Sequence, residues 1–370
     1  MNKQALMGLL CLFSLSIFAQ NADYALYIGT YTRKTSEGIY VYRFNAKTGE
    51  LTPLSITKQI ANPSFLAISP NKRFLYALEG QNGDSVRAFM IDKTSGQLTT
   101  INSQQTSGKG AVHLQVDKTN KWLILGSYRS GNLNVFPIKP DGSLEKTSQI
   151  IQHVGSSIDT ARQKQAYVHS INISPNNRDV FVPDLGMDKI MAYTLNEETG
   201  QLSVNTAADA PTKPGSGPRH FTFHPNGKLA YVIQEMGALI TGFHYINGIL
   251  TPFQTISTLP DDYKGLKWSA DIHISPDDKF LYGSNRAHES LAIFSIHKKT
   301  GQLTLVGYEQ VRGHTPRNFA IDPTGNFILV ANQDSDNITV FKRNKKTGKL
   351  TFTGKEISIS SPVCLIFYKL

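Results

Sequence analysis

The chain has 370 residues, of which 40% are hydrophobic and 18% charged, and its formal net charge is +10. Its length allows a large buried core, and its lysines are scattered through turn-like segments such as NAKTGEL and NKKTGKL, which argues against a nucleic-acid partner. Cys364 is the one cysteine beyond the N-terminal segment, so an intramolecular disulfide is excluded, and we expect a small buried side chain rather than a nucleophile.

The first 19 residues predict a secretory signal peptide. They contain a lysine, a mostly apolar run from Ala5 to Phe18 and a small residue, Ala19, at the expected cleavage point. The apolar run is too short for a comfortable membrane span, and Cys11 lacks the small residues that precede a lipidated cysteine. We therefore predict an exported protein, periplasmic or secreted, without stable membrane insertion. An uncleaved anchor is the alternative.

A turn motif built around Gly-x-Leu recurs seven times at a spacing of about fifty residues. Its glycines are Gly49, Gly96, Gly142, Gly200, Gly248, Gly301 and Gly348. Interleaved with it are segments such as ISPNKRFLYAL and FHPNGKLAYVI, in which two alternating strands flank a turn, as is typical of a hairpin. With two further strands per repeat, the pattern predicts an all-β, seven-bladed propeller with four antiparallel strands per blade, forming one domain over residues 20–370.

The two ends of the chain predict how the ring closes. The C-terminal SSPVCLIFYKL has the innermost-strand pattern of the other repeats, but no second strand follows it. The N-terminal YALYIGTYT supplies that strand. We therefore predict a mixed first blade in which residues 362 to 368 pair beside residues 24 to 31.

Alignment of the inner hairpins on their turn residues separates core positions from rim positions. Apolar residues four positions before the turn are predicted core, and they are Leu66, Leu114, Ile171, Phe221, Ile272 and Phe319. The beginnings of the innermost strands and the ends of the second strands meet at one mouth of the channel. They place there a polar cluster of His113, His169, His220, Arg219, Arg286, Arg317, Glu79, Asp184, Glu235, Asp271, Tyr31 and Tyr128.

Longer inserts, roughly 151 to 167, 206 to 217 and 256 to 268, are predicted to lie on the same face, where they would wall a pocket. For the pair Arg219 and Glu235 taken alone, a blade-end ion pair without a catalytic role remains an alternative.

The chain resembles the seven-bladed propeller lactonases, which include bacterial 6-phosphogluconolactonases and fungal muconate-lactonizing enzymes. The resemblance covers nearly the whole mature chain and is strongest in YIGTYT, GPRHFTFHPNGKLAYV, SADIHISPDDKFLYGSNR, PRNFAIDPTG and VANQDSDNITVF. Carried over by motif, it implies a catalytic set of His169, Arg219, Glu235 and Arg286. One departure is Tyr167, where many members have a second histidine.

The resemblance implies hydrolysis of a sugar lactone by a carboxylic-ester hydrolase of carbohydrate metabolism. His169 is the expected base, Arg219 and Arg286 would bind the anionic substrate or developing charge, and Glu235 would orient an arginine or act as acid/base. We expect substrate binding by His113, Tyr128, His220, Asp271, Arg317 and Tyr31, with His220 as pocket wall or support.

These residue types suffice for ring opening, so we expect no metal and no cofactor. We also expect a monomer. Because the protein is predicted to be exported, the sequence does not determine which lactone is the substrate or whether that lactone is phosphorylated. A non-catalytic periplasmic propeller that binds carbohydrate or an envelope protein, and a muconate-type cycloisomerase, are the alternative functions.

Overall fold

Each of the seven repeats forms one antiparallel sheet, here called a blade. In the computed structural model, which describes residues 23–80 and 84–370, the blades form a ring around a central axis. The predicted all-β seven-bladed propeller is therefore confirmed. The predicted signal peptide, residues 1–19, and the predicted domain start at residue 20 lie outside the described residues.

The first half of the chain forms blades 1 to 4. Blade 1 contains β1 (Asp23–Thr30), β2 (Gly38–Asn45), β3 (Glu50–Lys58) and, from the C-terminus, β29 (Pro362–Lys369). Blade 2 contains β4 (Leu66–Ile68), β5 (Phe74–Gly80), β6 (Asp84–Ile91) and β7 (Leu98–Gln105). Blade 3 contains β8 (Ala111–Val116), β9 (Trp122–Ser127), β10 (Asn132–Pro137) and β11 (Gln149–Gln152). Blade 4 contains β12 (Asn172–Ile173), β13 (Asp179–Asp184), β14 (Lys189–Leu195) and β15 (Leu202–Val204).

Blade 4 adds a short fifth strand to the predicted four. After one turn of 3₁₀-helix (Thr206–Ala208), β16 (Ala210–Pro211) pairs with the part of β14 that β15 leaves uncovered. Blade 5 contains β17 (Pro218–Phe223), β18 (Leu229–Gln234), β19 (Leu239–Ile246) and β20 (Ile249–Ser257). Blade 6 contains β21 (Ser269–Ile274), β22 (Phe280–Asn285), β23 (Ser290–Ile296) and β24 (Leu303–Gln310). Blade 7 contains β25 (Pro316–Ile321), β26 (Phe327–Asn332), β27 (Asn337–Arg343) and β28 (Leu350–Ser358).

The ring closes as the ends of the sequence predict. β29 is the innermost strand of blade 1 and pairs antiparallel with β1, with Tyr24 opposite Lys369 and Ile28 opposite Leu365. β29 also contacts the innermost strands of the two neighbouring blades, β4 and β25. The first and last described strands therefore complete one sheet.

The turn glycines join neighbouring blades. Gly348 has φ of +74°, and a Cβ there would lie 2.4 Å from the ring of Phe280 in the preceding blade. Tyr282, also in that blade, donates its hydroxyl proton to the carbonyl oxygen of Gly348 at 2.8 Å. The equivalent hydrogen bonds run from Tyr27 to Gly96, from Tyr76 to Gly142 and from Tyr231 to Gly301. The recurring glycine thus serves both a left-handed turn and a close contact between blades.

The apolar core is divided into seven clusters, each between two adjacent blades. The predicted core residues are all buried within these clusters, namely Leu66, Leu114, Ile171, Phe221, Ile272 and Phe319. Because strand side chains alternate, the residues between the core positions face the axis, and several of them are polar. Among residues 23–80 and 84–370, no helix has the length and apolar character needed to cross a membrane.

Candidate active site

A cavity of about 830 Å³ lies at the end of the ring where the innermost strands begin. Two sets of equivalent positions line it, as the alignment of the hairpins predicts. At the starts of the innermost strands these are Ser64, Val112, His169, Arg219, Arg317 and Val363. At the ends of the second strands they are Tyr31, Gly80, Tyr128, Glu235 and Arg286. All four predicted catalytic residues therefore lie in one cavity.

β-Bulges interrupt the innermost strands at the cavity. The pairing of β17 with β18 passes from Pro218 to His220 and leaves Arg219 without a cross-strand partner. The same interruption occurs in three other blades, at Val112, Arg317 and Val363. A bulge redirects the side chain of its extra residue. These four residues line the cavity, so their bulges carry two of its arginines, whereas the two residues left unpaired in blade 6, Ala270 and Asp271, do not line it.

Glu235 is the centre of an arginine cluster. Its Oε2 accepts a hydrogen bond from Arg219 Nε at 3.0 Å and lies 2.6 Å from Arg286 Nη2. Its Oε1 accepts from Arg162 Nη2 at 2.6 Å. The backbone carbonyl of Ala270 accepts from Arg219 Nη1, which fixes that guanidinium further. These contacts use both carboxylate oxygens and favour an orienting role for Glu235.

The charges of this cluster stabilise one another despite burial. Burial alone would raise the pKa of Glu235, but the charges of Arg286 and Arg219 and the hydrogen bond from Arg162 hold it well below its ordinary value. Burial lowers the pKa of Arg219 to about 10 and that of Arg286 to about 9, against the opposing influence of Glu235. All three groups are thus charged at neutral pH.

Two cavity residues that were not predicted as site residues come from the inserts. Trp268 lies beneath Arg286, whose Cζ is 3.9 Å from the ring centroid, and Arg286 Nη2 also donates to the carbonyl of Ser269 at 2.9 Å. Arg162 reaches Glu235 from the segment between β11 and β12. Both lie in inserts that were predicted to wall the pocket. Their membership of these inserts was the only feature of the sequence that pointed to them.

His169 lies against an aromatic wall. Its ring centroid is 5.4 Å from that of Tyr128, and Tyr128 stacks on Tyr167 at 4.7 Å. Tyr167 stands where many members of the resembled family have a second histidine, and it lies behind Tyr128 rather than on the cavity surface. Burial, together with Arg219 and His220, lowers the pKa of His169 well below its ordinary value. Its Nδ1 is buried without a hydrogen-bond partner among the described residues.

Of the predicted substrate-binding residues, four line the cavity: Tyr31, Tyr128, His220 and Arg317. The other two, His113 and Asp271, lie in the layer beneath and contact His220. The His113 ring centroid is 5.6 Å from that of His220, and Asp271 Oδ1 is 2.7 Å from His220 Nδ1. We therefore place them behind the cavity surface.

The other two carboxylates that were predicted at the rim are each paired with a neighbouring side chain. Glu79 lines the cavity and pairs with Arg87, whereas Asp184 lies outside it and binds His153 Nδ1 at 2.7 Å. Cys364 is buried in β29, as predicted, and burial raises the pKa of its thiol to about 12. Among residues 23–80 and 84–370, no group of three or more histidine, cysteine or acidic side chains is arranged to hold a metal ion.

The cavity has an excess of positive charge. Arg317 lines it and makes no ion pair within the described parts of the chain, and its Cζ lies 5.7 Å from the ring centroid of Tyr31. Arg33 lies over the same ring at 4.7 Å. Lys109 and Arg129 also line the cavity. Such a surface favours an anionic ligand.

Comparison with known proteins agrees with this geometry. A family profile described as "Lactonase, 7-bladed beta-propeller" matches residues 25–367. The chain is 41% identical over 307 residues to the 6-phosphogluconolactonase of Formosa agariphila, covering 80% of this chain and 86% of the relative. It is 34% identical to the 6-phosphogluconolactonase of Bacillus subtilis over 81% and 85% of the two chains. The structure of the periplasmic gluconolactonase of Pseudomonas aeruginosa aligns with a TM-score of 0.90 at 34% identity, covering 94% and 99%. The chain therefore belongs to the seven-bladed beta-propeller lactonase family.

Proposed function

We propose that the protein is an exported lactonase that opens a sugar lactone in carbohydrate metabolism by a reaction like that of 6-phosphogluconolactonases. The observation that carries the proposal is the arginine cluster around Glu235, which faces histidines across one cavity. The names of the relatives agree with it. The signal-like N-terminus and the periplasmic relative favour export.

The arginines have donors to spare for the substrate. Arg219 uses Nε and Nη1 within the protein, and Arg286 uses Nη2, which leaves one terminal nitrogen of each without a partner among the described residues. Glu235 holds both guanidinium groups in place. We propose that these donors stabilise the negative charge that develops on the carbonyl oxygen when water attacks the lactone.

The chemistry further needs a base for the water and a proton for the leaving ring oxygen. A histidine of the cavity is the natural group for both, since neutral imidazole accepts a proton and imidazolium returns it. Burial keeps the cavity histidines neutral before water attacks. A bound lactone would therefore lie next to a neutral histidine, which can act as the base, and next to the arginines that Glu235 holds in place.

The excess positive charge extends the proposal to the substrate. Arg317 and Arg33, which have no carboxylate partner among the described residues, suit a phosphate or carboxylate on the sugar. Export, on the other hand, favours an unphosphorylated lactone. The proposal therefore covers δ-gluconolactone and its 6-phosphate, and the experiment compares them.

The test measures lactone hydrolysis above the spontaneous rate in buffer. The protein is purified from the periplasm, where we expect its mass to correspond to a chain beginning at Gln20. We expect hydrolysis of at least one of the two lactones. Because loss of one oxyanion donor typically costs about 10²-fold to 10³-fold, Arg219→Ala should reduce kcat by roughly that factor.

The matched control is Arg87→Ala. Arg87 forms a carboxylate pair with Glu79 near the same cavity but does not line it, so its removal should leave kcat within about threefold. Wild-type protein that hydrolyses neither lactone above background would refute the proposed activity. Equal rates for wild type, His169→Ala and Arg219→Ala would remove this cavity from the reaction.

A further inference from the structure

The two histidines on the cavity surface are held differently. The ring centroids of His169 and His220 lie 5.4 Å apart, and both side chains line the cavity. In a neutral imidazole one nitrogen carries the proton and the other a lone pair, and the partner of one nitrogen decides what the other presents. The surroundings of the two Nδ1 atoms therefore assign a role to each Nε2.

A carboxylate anchors His220. Asp271 Oδ1 lies 2.7 Å from His220 Nδ1, and both side chains are buried. A carboxylate only accepts hydrogen bonds, so His220 Nδ1 must carry the proton. Its Nε2 then holds a lone pair, and this atom has no hydrogen-bond partner in the described parts of the chain. His220 thus presents a proton acceptor to the cavity.

Asp271 is itself held in the ionised form. Its Oδ1 accepts from the backbone N–H of Ile272 at 3.0 Å, and its Oδ2 accepts from Asn318 Nδ2 at 2.6 Å and from the N–H of Phe319 at 3.3 Å. His273 Nε2 is 2.9 Å from the same Oδ2, on the channel side. Burial would raise the pKa of Asp271, but His273 and His220 hold it well below its ordinary value.

His169 has no such anchor. Its Nδ1 is buried and has no partner among the described residues, while its backbone N–H is used by Pro183. Among backbone groups, a buried N–H without an acceptor is rarer than a buried C=O without a donor, and we extend this preference to the imidazole ring. On that basis we place the proton of neutral His169 on Nε2. His169 thus presents a hydrogen-bond donor to the cavity.

A second His–Asp pair in the chain shows why the free nitrogen matters. His153 Nδ1 lies 2.7 Å from Asp184 Oδ2, the same distance as in the pair of His220 and Asp271. However, His153 Nε2 lies 2.8 Å from the hydroxyl of Tyr193, so both of its ring nitrogens are occupied inside the protein. This pair is structural, and it provides a matched control.

We propose that His220, positioned by Asp271, is the general base of the lactonase, and that His169 donates a hydrogen bond to the lactone carbonyl oxygen. The proposal rests on the proposed lactone hydrolysis. It reverses the roles expected from the sequence, in which His169 is the base and His220 only support. Asp271 acts through His220 and is a positioning residue.

The reaction balances with these groups alone. The water oxygen bonds to the carbonyl carbon while its proton moves to His220 Nε2, and the electron pair of the C=O bond moves to the carbonyl oxygen. His169 Nε2–H and the arginines stabilise that oxyanion. When the carbonyl reforms, the bond from carbon to ring oxygen breaks, and His220 returns the proton to the ring oxygen. The products are one hydroxy acid and the original neutral histidine.

Protonation of His220, influenced by the charged groups around it, sets the acid limb of the pH profile of kcat/KM. The titratable and charged groups that face His220 are Asp271, His273, Arg219, His169 and His113, and Arg317 lines the same cavity. Burial, then Arg219, lowers the pKa of His220 to about 4, and Asp271 opposes that shift. We expect kcat/KM to fall as the pH drops toward this value. In Asp271→Asn the limb should move to lower pH, because the charge that favours imidazolium is gone.

Paired substitutions separate a base from a donor. Glutamine places an N–H near the position of histidine Nε2, but it cannot accept a proton. We therefore expect His169→Gln to keep kcat within roughly tenfold of wild type, whereas His169→Leu loses about 10²-fold. His220→Gln and His220→Leu should both lose about 10²-fold or more. If glutamine rescues position 220 and not position 169, the proposed roles are wrong.

A double substitution tests whether Asp271 acts through His220. We expect Asp271→Asn to lower kcat at least roughly tenfold with little change in KM, and His220→Gln/Asp271→Asn to be no slower than His220→Gln. A double variant slower by the product of the two single effects would contradict the proposal. The control His153→Gln should lower Tm but leave the acid limb and the kcat of the folded protein unchanged.

A measurement without substrate keeps this proposal separate from the proposed function. Long-range ¹H–¹⁵N spectra report which ring nitrogen of each histidine is protonated, with signals assigned by the glutamine variants. We expect the Nδ1–H form for His220 and the Nε2–H form for His169. The opposite assignment would overturn the proposal even if the protein hydrolyses lactones. Absence of hydrolysis, by contrast, would refute the lactonase function and leave these forms measurable.

Discussion

Glu235 is surrounded by arginines on both of its carboxylate oxygens, and it is nearly fully buried. Removal of water makes each charge depend on the others, because an isolated buried ion is strongly unfavourable. The pKa of Glu235 is held well below its ordinary value. Its contribution to the stability of the fold is therefore complete at neutral pH and is lost only as the pH falls into the strongly acidic range.

Replacement of this carboxylate is the sharpest test of the cluster. Glu235→Gln leaves Arg219 and Arg286 buried without a countercharge, so we expect a loss of about 3 to 5 kcal/mol in the free energy of unfolding. We also expect kcat on the lactone to fall, since the guanidinium groups lose their common anchor. Denaturant unfolding and steady-state kinetics measure the two effects.

Glu79→Gln is the matched control. Glu79 also pairs with an arginine at the cavity, but both side chains of that pair are partly exposed, at 16% for Glu79 and 21% for Arg87. Its replacement should cost about 1 kcal/mol or less. Equal losses for the two variants would show that the arginine cluster has no special dependence on Glu235.

Residue by residue, the sequence predicted the site to the extent that strand alternation determines it. The location of His169, Arg219, Glu235 and Arg286 at one mouth of the channel follows from the hairpin register, and the structure places them together, whereas their selection as the catalytic set is what the resemblance implied. Arg162 and Trp268 were missed because they lie in inserts, whose paths no periodicity describes. Asp271 was predicted at the surface but lies beneath it. Hydrogen bonds such as the one between Asp271 and His220 depend on packing between blades, which the hairpin pattern does not contain.

At the scale of the element, the inner hairpins were predictable and their bulges were not. Alternation of apolar and polar residues predicts β17 and β18 and brings their ends together. A β-bulge needs only one extra residue on one strand and leaves little trace in such a pattern. Arg219 and Arg317 were predicted at the channel mouth, but the bulges that carry them became visible only in the structure.

The role of the turn glycine can be tested by comparing two glycines that have the same left-handed backbone conformation but different surroundings. Gly348 has φ of +74° and Gly354 has φ of +76°, but a Cβ at Gly348 would overlap Phe280, whereas one at Gly354 would meet nothing within 4 Å. We expect Gly354→Ala to cost about 1 kcal/mol for the left-handed backbone. Gly348→Ala should cost about 2 to 4 kcal/mol, because overpacking adds to it.

Chemical denaturation of the two variants gives the comparison. The difference between their losses in the free energy of unfolding measures the steric cost of a Cβ at the contact between blades 6 and 7, without the contribution of the left-handed backbone. If the two substitutions cost the same, the recurring glycine serves the turn alone, and the contact between blades adds nothing to its recurrence.

For the whole molecule, the repeat predicted both the number of blades and the closing strand. The sequence contains seven similar units and an incomplete pattern at each end, which together predict a closed ring whose first blade includes the C-terminal strand. The pairing of β1 with β29 confirms this arrangement. The short 3₁₀-helix and β16 in blade 4 were not predicted, because they belong to an insert without a counterpart in the other repeats.

This closure predicts that the chain tolerates circular permutation. Tyr24 pairs with Lys369, so a short glycine-rich linker can join Leu370 to Asp23. New ends placed between Lys298 and Lys299 fall in an exposed turn. We expect the permuted protein to keep its Tm within about 5 °C of the native chain, because all strand pairs are retained. Thermal unfolding by circular dichroism measures the difference.

A truncated chain is the contrast. Residues 23–361 lack β29, which leaves β1 unpaired on its inner side and removes contacts with β4 and β25. This chain should aggregate or unfold without a cooperative transition. A truncated protein as stable as the native one would show that the closing strand does not hold the ring.

The pairing of β1 with β29 also sets the order of events during synthesis. β1 leaves the ribosome before the other described strands, and its partner β29 leaves last. Local hairpins can form as they emerge, but a contact between opposite ends of the chain carries the largest loop-closure entropy and forms late. A nascent chain therefore has no closed ring, which is the state that the proposed export of an unfolded chain would require.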